Sequence, residues 1–221
     1  MKLSLFRRHC ILLLTGLWLA GGWPVATASA TSVSPSGTTL LILGDSLSAE
    51  YGLKRGTGWV SLLQQRLDQQ RIKAQVVNAS ISGDTTSGGR SRLPALLAQH
   101  RPTHVVIELG ANDALRGLPL QMTQDNLSRM TEQAQAAGAR VLLVGMQVPP
   151  NYGADYAQRF AGIFRTVATS QRAALVPFFL KGVADAPNAM DLFQNDRIHP
   201  KEEAHPTLLN NVWPELKKLL K

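Results

Sequence analysis

Five short apolar runs constrain this chain more than any other feature: "TLLILG" (39–44), "QVVNA" (75–79), "HVVIEL" (104–109), "RVLLVG" (140–145) and "ALVPFF" (174–179). Each is nearly continuous in apolar residues rather than alternating. A strand with one wet face alternates, whereas a parallel strand covered on both faces reads as an unbroken run. In the fifth run Pro177 cannot donate to a ladder, which marks an edge or a strand end.

The intervening segments carry helical periodicity at 58–70, 89–100, 122–138, 154–171 and 201–220. In the first, Trp59, Leu62, Leu63 and Leu67 share one face, with Gln and Arg opposite. Trp59 therefore reads as core. Gly138 suits a helix C-terminus and Pro200 the first turn of the last helix. No internal repeat or second-domain boundary is visible. Five βα units predict a three-layer α/β/α sandwich, flavodoxin-like, with a five-stranded parallel sheet in the order 2-1-3-4-5. Such sheets bind ligands beyond the strand carboxyl ends, where the winding reverses between strands 1 and 3. The loops leaving those strands are "GDSLSAEYGL" (44–53) and "GANDALRGL" (110–118).

The first 30 residues read as a cleaved signal peptide. Lys2, Arg7 and Arg8 precede the apolar "ILLLTGLWLA" (11–20), and "ASA" (28–30) fits a cleavage site after Ala30. The apolar run is short for a membrane span. Residues 31–38 form a polar lead-in, and 39–221 the folded domain. The single cysteine, Cys10, falls inside the signal. The mature chain then has no thiol, which excludes a cysteine nucleophile, disulfides and thiolate metal sites. Without Lys2, Arg7 and Arg8 the chain has 20 basic and 15 acidic residues, +5 instead of +8. That excess is scattered, so nucleic acid is not an expected partner, while transient contact with a membrane surface is compatible with it. A periplasmic or secreted monomer is expected.

Chemistry needs more than a serine in a turn. Ser46 requires a base, and the base requires a group that orients it. His9 lies in the signal, His100 and His104 bracket a helix-to-strand turn, and His205 falls in the last helix, where a surface position is expected. His199 follows Asp196 by three residues on a loop after the last strand, at the same sheet edge as Ser46. Taken singly, Ser46 suits a helix cap and the Asp196/His199 pair a solvated turn. Together they suit a nucleophile, a base and its orienting acid. Oxyanion donors are available at the same edge from the Ser46 amide, from Gly83 in "NASISGDTT" (78–86) and from the Asn112 carboxamide.

The blocks "GDSLS" (44–48), "SGDT" (82–85), "GAND" (110–113) and "DRIH" (196–199) resemble the Ser, Gly, Asn and His blocks of the SGNH, or GDSL, hydrolase family. Over 39–217 the chain resembles that family's bacterial periplasmic thioesterase–lysophospholipase–protease–arylesterase branch. The resemblance implies Ser46 as nucleophile, His199 as general base and then acid, Asp196 as its partner, and an oxyanion hole of Ser46, Gly83 and Asn112. It implies neither metal nor cofactor. Asp45 is expected to hydrogen-bond its own turn. Glu50 stands where the branch commonly has Gly, adding charge near the mouth of the site. Ala111 stands where a second Gly is common and would stiffen the loop bearing Asn112.

For the acyl group, Leu115, Leu118 and Pro119 in "ALRGLPL" (114–120) and Met146, Val148 and Tyr152 in "MQVPPNYG" (146–153) offer apolar walls. The expected function is an exported serine esterase acting on lysophospholipids and medium-to-long acyl esters, with competence toward thioesters such as acyl-CoA. A carbohydrate O-deacetylase is the alternative within the same chemistry. A non-catalytic lipid carrier is the alternative outside it.

Overall fold

The computed structural model describes residues 37–221. The expected signal peptide, Cys10 and nearly all of the lead-in lie outside them. The elements run β1 (Thr38–Gly44), α1 (Trp59–Gln69), β2 (Ala74–Asn78), α2 (Thr86–His100), β3 (His104–Glu108), α3 (Ala111–Leu115), α4 (Leu120–Ala136), β4 (Arg140–Val144), α5 (Ala154–Gln171), β5 (Ala174–Val176), α6 (Ala189–Leu192) and α7 (His205–Leu219). All strand pairs are parallel and the order is β2-β1-β3-β4-β5. The expected sheet order holds.

Both faces of the sheet are covered, which explains the unbroken apolar runs. Leu40, Leu41, Ile42 and Leu43 of β1 and Val105, Val106 and Ile107 of β3 are all fully buried. Helices α1 and α7 pack together, while α4 packs between α2 and α5. Trp59, at 0% exposure, is core as expected and meets Phe179 edge-on. Register sets the function of the edge: Gly44 pairs with Glu108, so the loops after β1 and β3 leave the sheet at the same level.

Several boundaries differ from the sequence reading for local reasons. Helix α2 starts at Thr86, three residues early, despite Gly88 and Gly89. Thr85 caps it by accepting from the Gly88 amide at 3.3 Å. A Cβ at Gly89 would lie 2.3 Å from Leu109, so this glycine permits close approach of helix to sheet. Strand β5 stops at Val176, immediately before Pro177. The last helix begins only at His205, after a 3₁₀ turn over Glu202–Ala204, and its first-turn proline is Pro206. Pro200 instead forms an isolated antiparallel bridge with Phe193.

Candidate active site

Strand β1 ends on Gly-Asp-Ser because each residue meets a separate constraint. A Cβ at Gly44 would sit 2.7 Å from Ser48 Oγ and 2.9 Å from Glu108 Oε2, so nothing larger fits there. Asp45 is buried, and its Oδ1 accepts the Leu47 amide at 3.0 Å, holding the turn as expected. Asp45 O also accepts the amides of Ser48 and Ala49 at 3.2 and 3.0 Å. The turn so fixed presents Ser46.

The Ser46 hydroxyl lies 2.8 Å from His199 Nε2, across 153 residues of sequence. On the far side of the ring, Nδ1 lies 2.7 Å from Asp196 Oδ2. The other Asp196 oxygen accepts the amides of Ile198 and His199, both at 3.0 Å. Burial opposes ionisation of Asp196, but the bonds from the His199 ring and the two amides outweigh it and hold the carboxyl at about 2. It is therefore anionic across the physiological range. Two further contacts fix the imidazole loop. Tyr51 lies against His199 with ring centroids 4.3 Å apart. The Gln194 amide donates to His199 O at 2.8 Å, and its side chain donates to Tyr51 O and Pro200 O at 3.0 and 3.2 Å.

The three oxyanion candidates reach the same edge. Among the described residues the amides of Ser46 and Gly83 donate to no other group. Gly83 has φ +79°, a left-handed geometry that suits glycine, and Arg116 Nη2 donates to its carbonyl at 2.7 Å. Asn112 sits in α3, and its Nδ2 donates to Asp45 Oδ2 at 3.0 Å and to Asp84 O at 2.9 Å. Asn112 thus joins the serine loop to the Gly83 loop. The latter is held further by Arg92, which pairs with Asp84 at 2.8 Å and donates to Ala79 O. Asp113 completes the anchoring by accepting the Thr86 amide at 2.8 Å and the Thr86 hydroxyl.

Beneath the serine turn lies a polar network that the sequence reading missed. Trp59 Nε1 donates to Ser48 Oγ at 3.1 Å, and that hydroxyl donates to Glu108 Oε2 at 2.7 Å. Burial, and then the neighbouring Asp45, push the Glu108 carboxyl well above the usual range. Burial likewise raises Asp45 to about 7. Both carboxyls are thus biased toward their protonated forms. Glu108 sits inside an apolar strand with no motif around it, so only the register that brings it beside Gly44 shows its role.

A cavity of about 520 Å³ opens at Ser46. Leu115, Met146 and Val148 line it as expected, joined by Phe178, Leu180 and Phe193, which the sequence reading passed over. Leu118 is half-buried and Pro119 exposed, both outside the lining. Tyr152 also lies outside it, stacked on Tyr156 of α5 at 6.5 Å. Glu50 does not face the mouth. Its carboxylate accepts the amides of Gly56 and Gly58 and the Ser61 hydroxyl, bracing the loop that leads into α1. Burial opposes its ionisation, yet these donors lower its pKa. Ala111 lines the cavity and starts α3, so the segment bearing Asn112 is a short helix rather than a free loop. His205, expected at the surface, is buried and accepts the Trp59 amide at 3.1 Å through Nδ1.

Residues 42–206, which contain every member of this constellation, match the GDSL-like Lipase/Acylhydrolase family. The chain belongs to this family. It is 54% identical to esterase TesA of Pseudomonas aeruginosa over 182 residues, covering 82% of this chain and 89% of that one. It is 43% identical to thioesterase 1/protease 1/lysophospholipase L1 of Escherichia coli K12 over 182 residues, covering 82% and 85%. A crystal structure of TesA superposes with a TM-score of 0.79 at 53% identity, covering 82% of this chain and 99% of that one. Another, of the psychrotrophic esterase EstA from Pseudoalteromonas sp. inhibited by monoethylphosphonate, gives 0.78 at 44% identity, covering 83% and 98%. As a GDSL-like acylhydrolase the protein is a hydrolase, and the five-stranded sandwich is the fold of its relatives.

Proposed function

We propose that the protein is an exported serine esterase that cleaves acyl esters and thioesters, lysophospholipids among them, through an acyl-enzyme intermediate. One observation carries the reading: the hydrogen-bonded line Ser46–His199–Asp196 opens onto a largely apolar cavity. His199 Nε2 takes the Ser46 proton as Oγ attacks the acyl carbonyl. Asp196 holds the ring in the tautomer with hydrogen on Nδ1 and stabilises the imidazolium as it forms. The oxyanion is received by the free amides of Ser46 and Gly83, with Asn112 as third donor sharing a hydrogen otherwise given to Asp45 or Asp84. His199 then returns the proton to the leaving oxygen or sulfur, and water repeats the sequence on the acyl-enzyme.

The names of the relatives, an esterase and a thioesterase–lysophospholipase, support this range of bonds, and the inhibition of EstA by a phosphonate supports an attacking serine. The signal-like N-terminus supports export to the periplasm, where membrane-derived esters are at hand and acyl-CoA is not. A cavity walled by Leu115, Met146 and Phe178 suits an alkyl chain better than an acetyl group on a sugar. Fluorophosphonate labelling of the mature protein and of Ser46→Ala tests the mechanism, and p-nitrophenyl esters from acetyl to palmitoyl test the substrate. Labelling at Ser46 and an optimum at medium or long chains are expected. A protein that does not label is a carrier, and a sharp acetyl optimum marks a deacetylase.

A further inference from the structure

Glu50, Arg71, Arg101, Arg172 and Arg197 are the non-glycine residues that hold left-handed backbone among the described residues. Three of them are explained by helix exits: Arg101 and Arg172 cap α2 and α5, and Arg71 follows the cap of α1. Glu50 is explained by the donors its carboxylate gathers. Arg197, at φ +60°, has no such account. Its backbone lets the turn close, with its amide on Gln194 O at 2.9 Å, so that Asp196 can collect the next two amides. Glycine would serve that turn without the steric cost of a Cβ. The guanidinium makes no ion pair among the described residues, although Arg197 is exposed and lines the cavity, two residues from His199. Backbone strain kept for an unpartnered side chain beside a reacting group points to a ligand.

The chemistry of the site says which end of the substrate that ligand is. His199 Nε2 must hand its proton to the leaving oxygen, so the leaving group departs on the His199 side, where Arg197 stands. Arg197 is also the one Lys or Arg among the described residues that line the cavity. Of the acids there, Asp45 is buried beneath the turn and Asp185 accepts the Gly182 amide. We infer that Arg197 binds an anionic phosphate carried by the leaving group, and so biases the enzyme toward esters of phosphorylated alcohols. This rests on the esterase reading above. In a lysophospholipid the phosphate lies a few bonds beyond the leaving oxygen, within the span of an arginine side chain. In acyl-CoA the phosphates lie at the far end of the pantetheine arm. A glycerophosphate headgroup is therefore the better fit. No bond is made or broken at the phosphate, and a planar guanidinium matches its oxygens in pairs.

The test compares 1-palmitoyl lysophosphatidic acid with monopalmitoylglycerol, which has the same ester and no phosphate, on wild-type protein, Arg197→Gln and Arg197→Gly. The glycine variant keeps the left-handed turn. Palmitoyl-CoA and p-nitrophenyl butyrate complete the set, all used below aggregation. The wild type is expected to prefer the phosphorylated ester. Both variants are expected to lower the ratio of kcat/KM between the two glycerol esters by roughly tenfold, the scale of one charged hydrogen bond. Salt should erode the wild-type preference in the same direction. A ratio that falls only against palmitoyl-CoA supports phosphate recognition but names the nucleotide as its source. Equal losses on all the esters would mean that Arg197 serves only the turn holding His199, and unchanged kcat/KM on all of them would mean that it touches no phosphate; either overturns the proposal. A wild type that cleaves p-nitrophenyl butyrate without preferring the phosphorylated ester overturns it as well, and leaves the serine-esterase reading standing. A protein inert toward every ester overturns both.

Discussion

Tyr51 lies over one face of His199, with ring centroids 4.3 Å apart and planes tilted by 38°. An aromatic face attracts a cation more than a neutral ring, by about 0.5–1 kcal/mol at an exposed site. In the proposed mechanism His199 becomes a cation as it removes the Ser46 proton, so Tyr51 would favour the reacting state. Asp196 sits on the His199 Nδ1, and the other ionisable groups of the cavity lining are Asp45, Asp185 and Arg197. Tyr51→Leu should lower kcat roughly two- to fivefold with little change in KM. Tyr51→Phe should behave as wild type. A Leu variant with an unaltered kcat would show that Tyr51 merely fills space.

A Cβ at Gly44 would collide with Ser48 Oγ and Glu108 Oε2, neither of which can move without breaking the Trp59–Ser48–Glu108 line. Gly44→Ala should therefore destabilise by about 1–3 kcal/mol, the usual cost of overpacking. Urea denaturation should show a lower midpoint at unchanged slope. A variant as stable as wild type would mean that the network yields without cost.

How much of this was legible in sequence depends on the range of the cause. The unbroken runs of β1, β3 and β4 encode burial on both faces, and their alternation with helical segments in five βα units led to the sheet order. Ser46 and the Asp196/His199 pair were found because local spacing and edge placement sufficed. Glu108 was missed because its importance comes from Gly44 on the neighbouring strand, 64 residues away in sequence. Glu50 was placed at the mouth because charge was read without its partners Gly56, Gly58 and Ser61. Pro200 was given to a helix start because a proline before a polar, helix-prone stretch reads that way. Its bridge to Phe193 is a tertiary contact that no local signal carries.

The Asp45–Glu108 pair makes a prediction about pH and stability. Both carboxyls have folded-state pKa values above their unfolded values, Asp45 rising from 3.8 to about 7. Between these values the folded protein binds more protons than the unfolded chain. Stability contributed by the pair is thus fully present below about pH 4 and is lost as pH rises toward 7. Asp196 acts in the opposite sense, but its contribution is lost only as pH falls from 3.8 toward 2, outside that window. Glu108→Gln removes one carboxyl of the pair, so thermal unfolding of this variant should lose less stability than wild type between pH 4 and 7. Parallel pH dependences in the two proteins would show that Glu108 does not titrate with a raised pKa in the folded state.

Asn112 is the residue on which the proposed oxyanion hole and the architecture compete. Its amide nitrogen bonds Asp45 Oδ2 and Asp84 O, which ties two loops together, and in the proposed mechanism it also receives the oxyanion. Asn112→Ala should lower kcat by roughly 10²–10³, the effect of removing one oxyanion donor, with a smaller change in KM. It should also cost about 1–3 kcal/mol of stability, because buried Asp45 Oδ2 loses a donor. The rate of fluorophosphonate labelling separates the two roles, since the tetrahedral adduct presents its oxygen to the same donors. If labelling and turnover fall together by two orders of magnitude while folding is only modestly weakened, Asn112 stabilises the oxyanion. If stability falls by the full amount and turnover by less than tenfold, the Ser46 and Gly83 amides carry the charge and Asn112 only joins their loops.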